Sequence, residues 1–444
     1  VEDLRGCSPE DIETICTEKA QEEVKIPFDL TTGPLLRAKL WRLGDEDHVL
    51  LLNMHHLITD GWTFAVIHRE MGIVYGASAE GNTQALPDLP CEYGDYAVEQ
   101  RKSLEAGKLD DQLGYWKKQL AELPRLQLPT DRPSSSLSSF SGACEGFSLG
   151  PALSAGLKSL SREEGVSLFT TLLASFKVFL SRYSGQTDIP VGTFKHGRTH
   201  QELEPLVGLF VNTLVLRTDL SGDPCFRELL QDVRKTCKGA FTHEELPFDR
   251  LVDELQPDRQ LGRNPLFQAS INYHAPVAPP SLPGLAVSEF TVGRLGATQL
   301  RNGTAKFDLE LTWYDSENEV EGMIEYSKDV FDRSTIRRAI AHLRTLIEAA
   351  VADPERRVAD LPLLDEAERR QLLVMGCGAG SEYPSDQCIH QLFERQVAER
   401  PQSIAVGLAG ERVTYQELNA RANQLARYLQ QRGVGPEVMV GLCT

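Results

Sequence analysis

No apolar run in this 444-residue chain is long enough to cross a bilayer. The longest, Leu206 to Leu216, carries Asn212 and Thr213, whereas a membrane helix needs about 20 apolar residues. Basic charge is scarce too: 46 Lys and Arg stand against 64 Asp and Glu, a net charge of −18. That balance argues against nucleic acid and against a membrane as partners, because binding to either needs clustered cations. There is no CxxC pair, and the nine cysteines are scattered and odd in number, which fits reduced thiols and a cytoplasmic location. No signal peptide, solenoid-type repeat or GxxxxGK phosphate loop occurs. Gly376-x-Gly378-x-Gly380 follows no strand and opens no helix, so it reads as linker.

What remains is ordinary globular material, 41% apolar and 25% charged. At about 150 residues per domain, the length predicts two or three folding units. The chain opens on Val1 and stops at Thr444 inside a periodic pattern, so it reads as a piece of something longer.

Ser8-Pro9-Glu10-Asp11 has the form of a capping box and predicts a helix to about Glu23. A hairpin is expected from strands Pro34–Arg42 and His48–Met54, followed by a helix over Thr63–Tyr75. Residues 78–92 read as a loop, and 94–106 and 110–121 as helices. The proline-flanked stretch Leu128–Pro133, with the serines after it, predicts a hinge between two lobes. Beyond it the pattern gives strands near 143–148, 189–194, 207–217, 266–274, 304–313 and 320–326. Helices are expected near 152–164, 168–183, 225–240, 247–255 and 333–351. Mixed elements in no strict alternation predict an α/β (α+β) fold. Residues 361–385 read as linker; a fresh unit then begins with helix His390–Ala398, strand Ile404–Val406, helix Tyr415–Gln431 and a strand near Val438–Leu442.

One cluster concentrates catalytic residue types: His55-His56-x-x-x-Asp60-Gly61, where a strand ends and a turn begins. An imidazole there can accept or steer a proton near neutral pH. A carboxylate four residues on can orient a ring or anchor an arginine. Gly61 allows a close backbone approach, leaving an amide free for a developing oxyanion. Three readings stand: a metal site, which adjacent histidines pointing to opposite faces disfavour; a plain turn with satisfied histidines; and acyl transfer.

Met54-His55-His56-Leu57-Ile58-Thr59-Asp60-Gly61-Trp62 resembles the HHxxxDG motif of nonribosomal peptide synthetase condensation domains. Four further blocks resemble that family's, in its order: Tyr93–Ala97, Val207–Thr213 with Arg217, His243–Asp249 and Arg263–Phe267. The resemblance covers roughly residues 1 to 360. It implies two chloramphenicol-acetyltransferase-like lobes in a V, residues 1–130 and 131–360, with a tunnel between them. The implied reaction joins two thioester-bound groups carried on phosphopantetheine arms of upstream (donor) and downstream (acceptor) carrier domains, with no cofactor bound directly and no metal. It places His56 at the reacting centre and gives Asp60 an architectural role, with Arg198 as the candidate ion-pair partner. Asn264 and Asn272 are weaker candidates for polar contacts in the tunnel.

Departures from the family pattern are Glu99 in place of Trp, and Gln260 and Gly262 in place of Asp and Ser. Only 54 residues precede His55, where the family carries two more motifs, so part of the first lobe is expected to lie upstream. Arg412–Asn419 resembles the opening motif of an adenylation domain; its phosphate loop, with ATP and Mg, would belong only to the complete domain over and beyond 386–444. Coenzyme A acyltransferases usually add DFGWG, absent here, and epimerization domains differ after HHxxxD. A non-catalytic carrier-docking platform is the remaining alternative, which the intact histidine motif disfavours.

Overall fold

The computed structural model describes residues 1–8, 11–82, 86–133, 139–256, 264–274, 279–288, 290, 303–316, 319–377, 386–408 and 410–442. Pro9, Glu10, Gln260, Gly262, Arg263, Gly378 and Gly380, all used in the sequence reading, lie outside the described residues. Two compact units divide the chain, Val1–Glu368 and Arg369–Thr444.

Among its described residues the first unit holds two sheets. The smaller is built from β1 (Glu2–Asp3), β2 (Leu36–Arg42) and β3 (His48–Met54), in the order β1-β2-β3. The amides of Leu43 and Gly44 both donate to the Asp47 carbonyl, which fixes the hairpin and its register from Leu36↔Met54 to Arg42↔His48. Ser8 accepts from the Asp11 amide and leads into helix α1 (Ile12–Lys25). Leu4, Cys16, Ala20 and Trp41 form the small core between helix and sheet. Helices α2 (Gly61–Ala79), α3 (Tyr93–Glu105) and α4 (Asp110–Gln119) follow.

The larger sheet contains β4 (Gly142–Ser148), β5 (Asp188–Lys195), β6 (Asn212–Asp219), β7 (Ala269–His274), β8 (Leu309–Asp315) and β9 (Val320–Ser327). Their spatial order is β4-β9-β8-β7-β5-β6. The β5–β7 and β7–β8 pairs are parallel and the others antiparallel. The helices of this sheet are α5 (Gly150–Glu163), α6 (Leu168–Ser184), α7 (Phe226–Thr242), α8 (Phe248–Leu255) and α9 (Arg333–Ala352). Every residue of α6 from Thr170 to Leu180 is buried, as expected of a helix apolar on nearly all sides. Lys177 is the charged exception. Its Nζ donates to the carbonyls of Ile189 (2.9 Å) and Leu216 (2.6 Å), and burial pushes its pKa down to about 7.

Three expectations need correction. The stretch at 128–133 is clamped: the Asp131 amide donates to the Val330 carbonyl, and Arg132 donates to the carbonyls of Lys328, Asp329 and Phe331. Trp116, Leu120 and Leu126 are buried in the core of the larger sheet, so a cut at residue 130 separates α4 from its own packing partners. The apolar stretch at 207–217 is strand only from Asn212; the residues before it form a loop.

The presumed linker is likewise partly structured. Arg182 donates to the carbonyls of Val358, Ala359 and Leu361. His342 bridges the Tyr183 hydroxyl (2.5 Å) and the Glu368 carboxylate (2.8 Å), and helix α10 covers Glu366–Gly376. The second unit contains α11 (Ile389–Glu399), the hairpin β10 (Ile404–Leu408) and β11 (Glu411–Thr414), and α12 (Tyr415–Gln431). Thr414 and Glu417 form a reciprocal capping box that starts α12. The strand expected near 438–442 is absent from that segment.

Candidate active site

Strand β3 delivers the two histidines to its end, and a single 3-10 turn, His56–Ile58, takes over. The His55 amide donates to the Leu35 carbonyl, its Nδ1 accepts from the Leu57 amide (3.0 Å), and its ring meets Phe28 edge-on. His55 is thus committed to shaping the turn. His56 is exposed, and its side chain makes no hydrogen bond or ion pair with the described residues.

Asp60 is the opposite case. It is buried, at 3% exposure, and it caps α2. Its Oδ1 accepts from the Thr63 amide (3.0 Å) and hydroxyl (3.0 Å). Its Oδ2 accepts from Arg198 Nη1 (2.7 Å) and the Phe210 amide (3.0 Å). Four donors on one carboxylate occupy its acceptor sites and fix its orientation. The Arg198 side chain is fully buried. Its Nη2 donates to the Leu206 carbonyl, the guanidinium lies 4.2 Å from the centre of the Phe210 ring, and its buried Nε has no hydrogen-bond partner among the described residues.

Two glycines let these loops close. Gly197 has φ +61°, and a Cβ there would sit 1.9 Å from the Phe210 carbonyl oxygen. A Cβ on Gly208 would sit 2.4 Å from the Tyr93 ring, whose hydroxyl donates to the Leu209 carbonyl (2.8 Å). Trp62 adds a tie from Nε1 to the Glu204 carbonyl (2.9 Å), with its ring tilted against His196. Burial, with Lys195 and Arg198 adding to it, lowers the His196 pKa and favours the neutral ring. Three separated sequence blocks therefore converge on one buried node beside an unencumbered histidine.

The condensation-domain family pattern matches residues 1–373. The chain belongs to the condensation-domain family. A second pattern, AMP-binding enzyme, matches residues 393–444, so this condensation domain is followed by the start of an AMP-binding domain. A linear gramicidin synthase from Brevibacillus parabrevis is 43% identical over 99% of the chain. Tyrocidine synthase 3 from the same organism is 38% identical over 96% of it. The chain spans 9% and 6% of those two proteins. Among solved structures, the X-domain from teicoplanin biosynthesis matches with a TM-score of 0.70 and 26% identity over 81% of this chain and 80% of that one. The first condensation domain of the calcium-dependent antibiotic synthetase shares the fold, with a TM-score of 0.66 at 20% identity over 82% of this chain and 78% of that one.

The remaining candidates of this condensation domain fall elsewhere in the fold. Gly61 is the first residue of α2, without a positive φ, and a Cβ on it would meet nothing within 4 Å. Tight backbone packing is therefore not what glycine supplies there; it keeps the space at the helix start clear. Asn264 Oδ1 accepts from the amides of Leu266 and Phe267, which makes it a turn former. Asn272 lies on β7, half-buried, with Nδ2 3.2 Å from His274 Nε2. Asn212 joins two blocks, its Nδ2 donating to the carbonyls of Glu244 (2.8 Å) and Leu246 (2.7 Å). Glu99 stands on the exposed face of α3, paired with Lys108. Sequence reasoning missed Thr63, although Asp60-x-x-Thr63 before an apolar helix carries an N-cap signal. Among the described residues no group of His, Cys, Asp and Glu is arranged to hold a metal. No single described helix is long and apolar enough to cross a membrane.

Proposed function

We propose that this condensation domain forms an amide between two carrier-bound thioesters, with His56 at the reacting centre and Asp60 as an architectural anchor. In this reaction the amine of the acceptor aminoacyl group attacks the donor thioester carbonyl. A C–N bond forms, the C–S bond breaks, the amine loses a proton, and the donor phosphopantetheine leaves as a free thiol. The observation that carries the reading is the contrast four residues apart: His56 is exposed and uncommitted, while Asp60 is held by four hydrogen bonds. An imidazole on a supported turn is suited to orient an amine or take its proton, worth about two to four decades of rate.

The partners in this reading are the donor and acceptor carrier domains and the AMP-binding domain of the same protein. A cytoplasmic location goes with it, supported by the eight free cysteines among the described residues. The test is single-turnover condensation with both carriers already charged, in the intact module, read by mass spectrometry of the carrier-bound products. His56→Ala should leave carrier loading unchanged and nearly abolish the dipeptidyl product. Near wild-type rates for this variant would reject His56; if His55→Ala keeps them as well, the domain is a docking platform.

A further inference from the structure

We infer that Thr63 is a positioning residue for condensation, its hydroxyl holding the His56–Asp60 loop in working register against the larger sheet. This inference rests on the reading of His56 given above. Thr63 is completely buried, at 0% exposure. Its Oγ1 lies 3.0 Å from Asp60 Oδ1 and 3.4 Å from the Asp60 amide, inside its own loop. The same atom lies 3.2 Å from the Gly208 carbonyl, 3.3 Å from the Gly208 amide and 3.4 Å from Arg198 Nη2. A hydroxyl has one proton to give and two lone pairs to receive with. Here its proton goes to Asp60 Oδ1, the nearer of the two acceptors, and its two lone pairs are shared among the Gly208 amide, the Asp60 amide and the Arg198 guanidinium.

Thr63 thus joins Asp60 in gripping the far segment: it accepts from the Gly208 amide, 145 positions further along the chain, as Asp60 accepts from Arg198 and Phe210. Asp60 and Thr63 hold each other, Arg198 holds both, Gly208 holds Thr63 and Phe210 holds Asp60, and the turn carrying His56 hangs between this knot and the end of β3. Valine fills the same volume as threonine and can make none of these bonds; serine keeps all of them. The knot is a coupled network, so losing its central oxygen should shift the loop rather than merely loosen one bond. A misplacement of about 1 Å at a reacting group costs roughly a hundred-fold in rate.

The experiment measures single-turnover condensation on the folded fraction of the intact module, with melting temperature recorded beside it. Thr63→Val should fall roughly ten- to hundred-fold in rate with carrier KM unchanged, while Thr63→Ser stays near wild type. In a His56→Ala background Thr63→Val should add no further loss, because the group it positions is gone. Wild-type rates for folded Thr63→Val, or equal losses in Ser and Val variants, would overturn the inference. So would a further loss in the His56→Ala background. If Thr63→Val gives no folded protein, Thr63→Cys against Thr63→Ser decides instead, since a thiol is a weak donor and acceptor, and equal rates overturn the inference. Failure of the His56 reading itself is recognised separately, by a His56→Ala variant that keeps its rate.

Discussion

The two sheets of the condensation domain are built to very different standards. The six-stranded sheet and its helices bury Phe176, Phe226, Phe267, Trp313 and dozens of aliphatic residues in one continuous core. The three-stranded sheet has four buried residues in its core, and on the other face of its hairpin Leu36 and Leu50 are 41% and 46% exposed. Yet the candidate catalytic histidine hangs from the weaker sheet. A loop needs a rigid support to hold a reacting group in place, and this loop borrows one: Asp60 and Thr63 reach across to Arg198, Gly208 and Phe210, which are carried by the loops next to β5 and β6. The separated family blocks are, physically, the two ends of that strut.

The sharpest way to break the contrast is to cut the strut. Arg198→Ala leaves the Asp60 carboxylate buried without its cation, a change worth about 3–5 kcal/mol. Hydrogen exchange should show lost protection at the start of α2 and at residues 206–210 together. Loss confined to one side would mean the two regions are not coupled there. Cutting the core of the larger sheet comes next. Leu343 on α9 is fully buried, so Leu343→Ala should cost about 2–5 kcal/mol by chemical denaturation. That loss should leave protection around Asp60 unchanged below the global transition.

Lys177 offers a pH-based probe of the larger sheet alone. Its folded-state pKa of about 7 lies below the value of about 10.4 for an unfolded lysine. Between those values the folded lysine is neutral and the unfolded one is protonated, so unfolding takes up a proton and stability rises with pH. The expected slope is about 1.4 kcal/mol per pH unit within that window, vanishing below pH ~7 where both states carry the proton. Lys177→Met should flatten this part of the curve. An unchanged slope would show that the ammonium keeps its proton in the fold, held by the two carbonyls it reaches.

Much of the stronger region was legible in the sequence, because periodicity reports burial. Helix α9 of the larger sheet differs from its expected bounds only at the C-terminal end. Where the pattern misled, tertiary bonds had overruled it. Leu128–Pro133 has hinge composition, but Arg132 finds three backbone carbonyls to clamp. Val207–Val211 is apolar enough for a strand, but its backbone is drawn into the Asp60 knot instead. β1 pairs through only Glu2 and Asp3, too short to leave a sequence pattern. At the site, the Arg198 partner came from family resemblance; nothing local in Lys195–Arg198 announces it. His55 and His56 differ for a reason the alternation of a strand does not give: one accepts the Leu57 amide and shapes a turn, the other is left over.

The smallest expected effect tests the weaker sheet directly. In the β2–β3 register Leu36, Ala38 and Leu40 face Met54, Leu52 and Leu50 across the hairpin, so six apolar residues share one face. The opposite face carries Trp41 against α1 and the ion pair of Arg37 with the buried Glu23. Because Leu50 keeps nearly half of its surface in water, Leu50→Thr removes little buried apolar area and retains a residue suited to strands. Its cost should stay within about 0.5 kcal/mol, measured as a shift in denaturation midpoint at constant m-value. The matched substitution Leu311→Thr, at a fully buried position of β8, removes a side chain the core surrounds and places a hydroxyl among apolar neighbours. It should cost several times more. Should Leu50→Thr instead cost as much as Leu311→Thr, the apolar face of the hairpin is covered in solution, and the weaker sheet has a second source of support besides the strut.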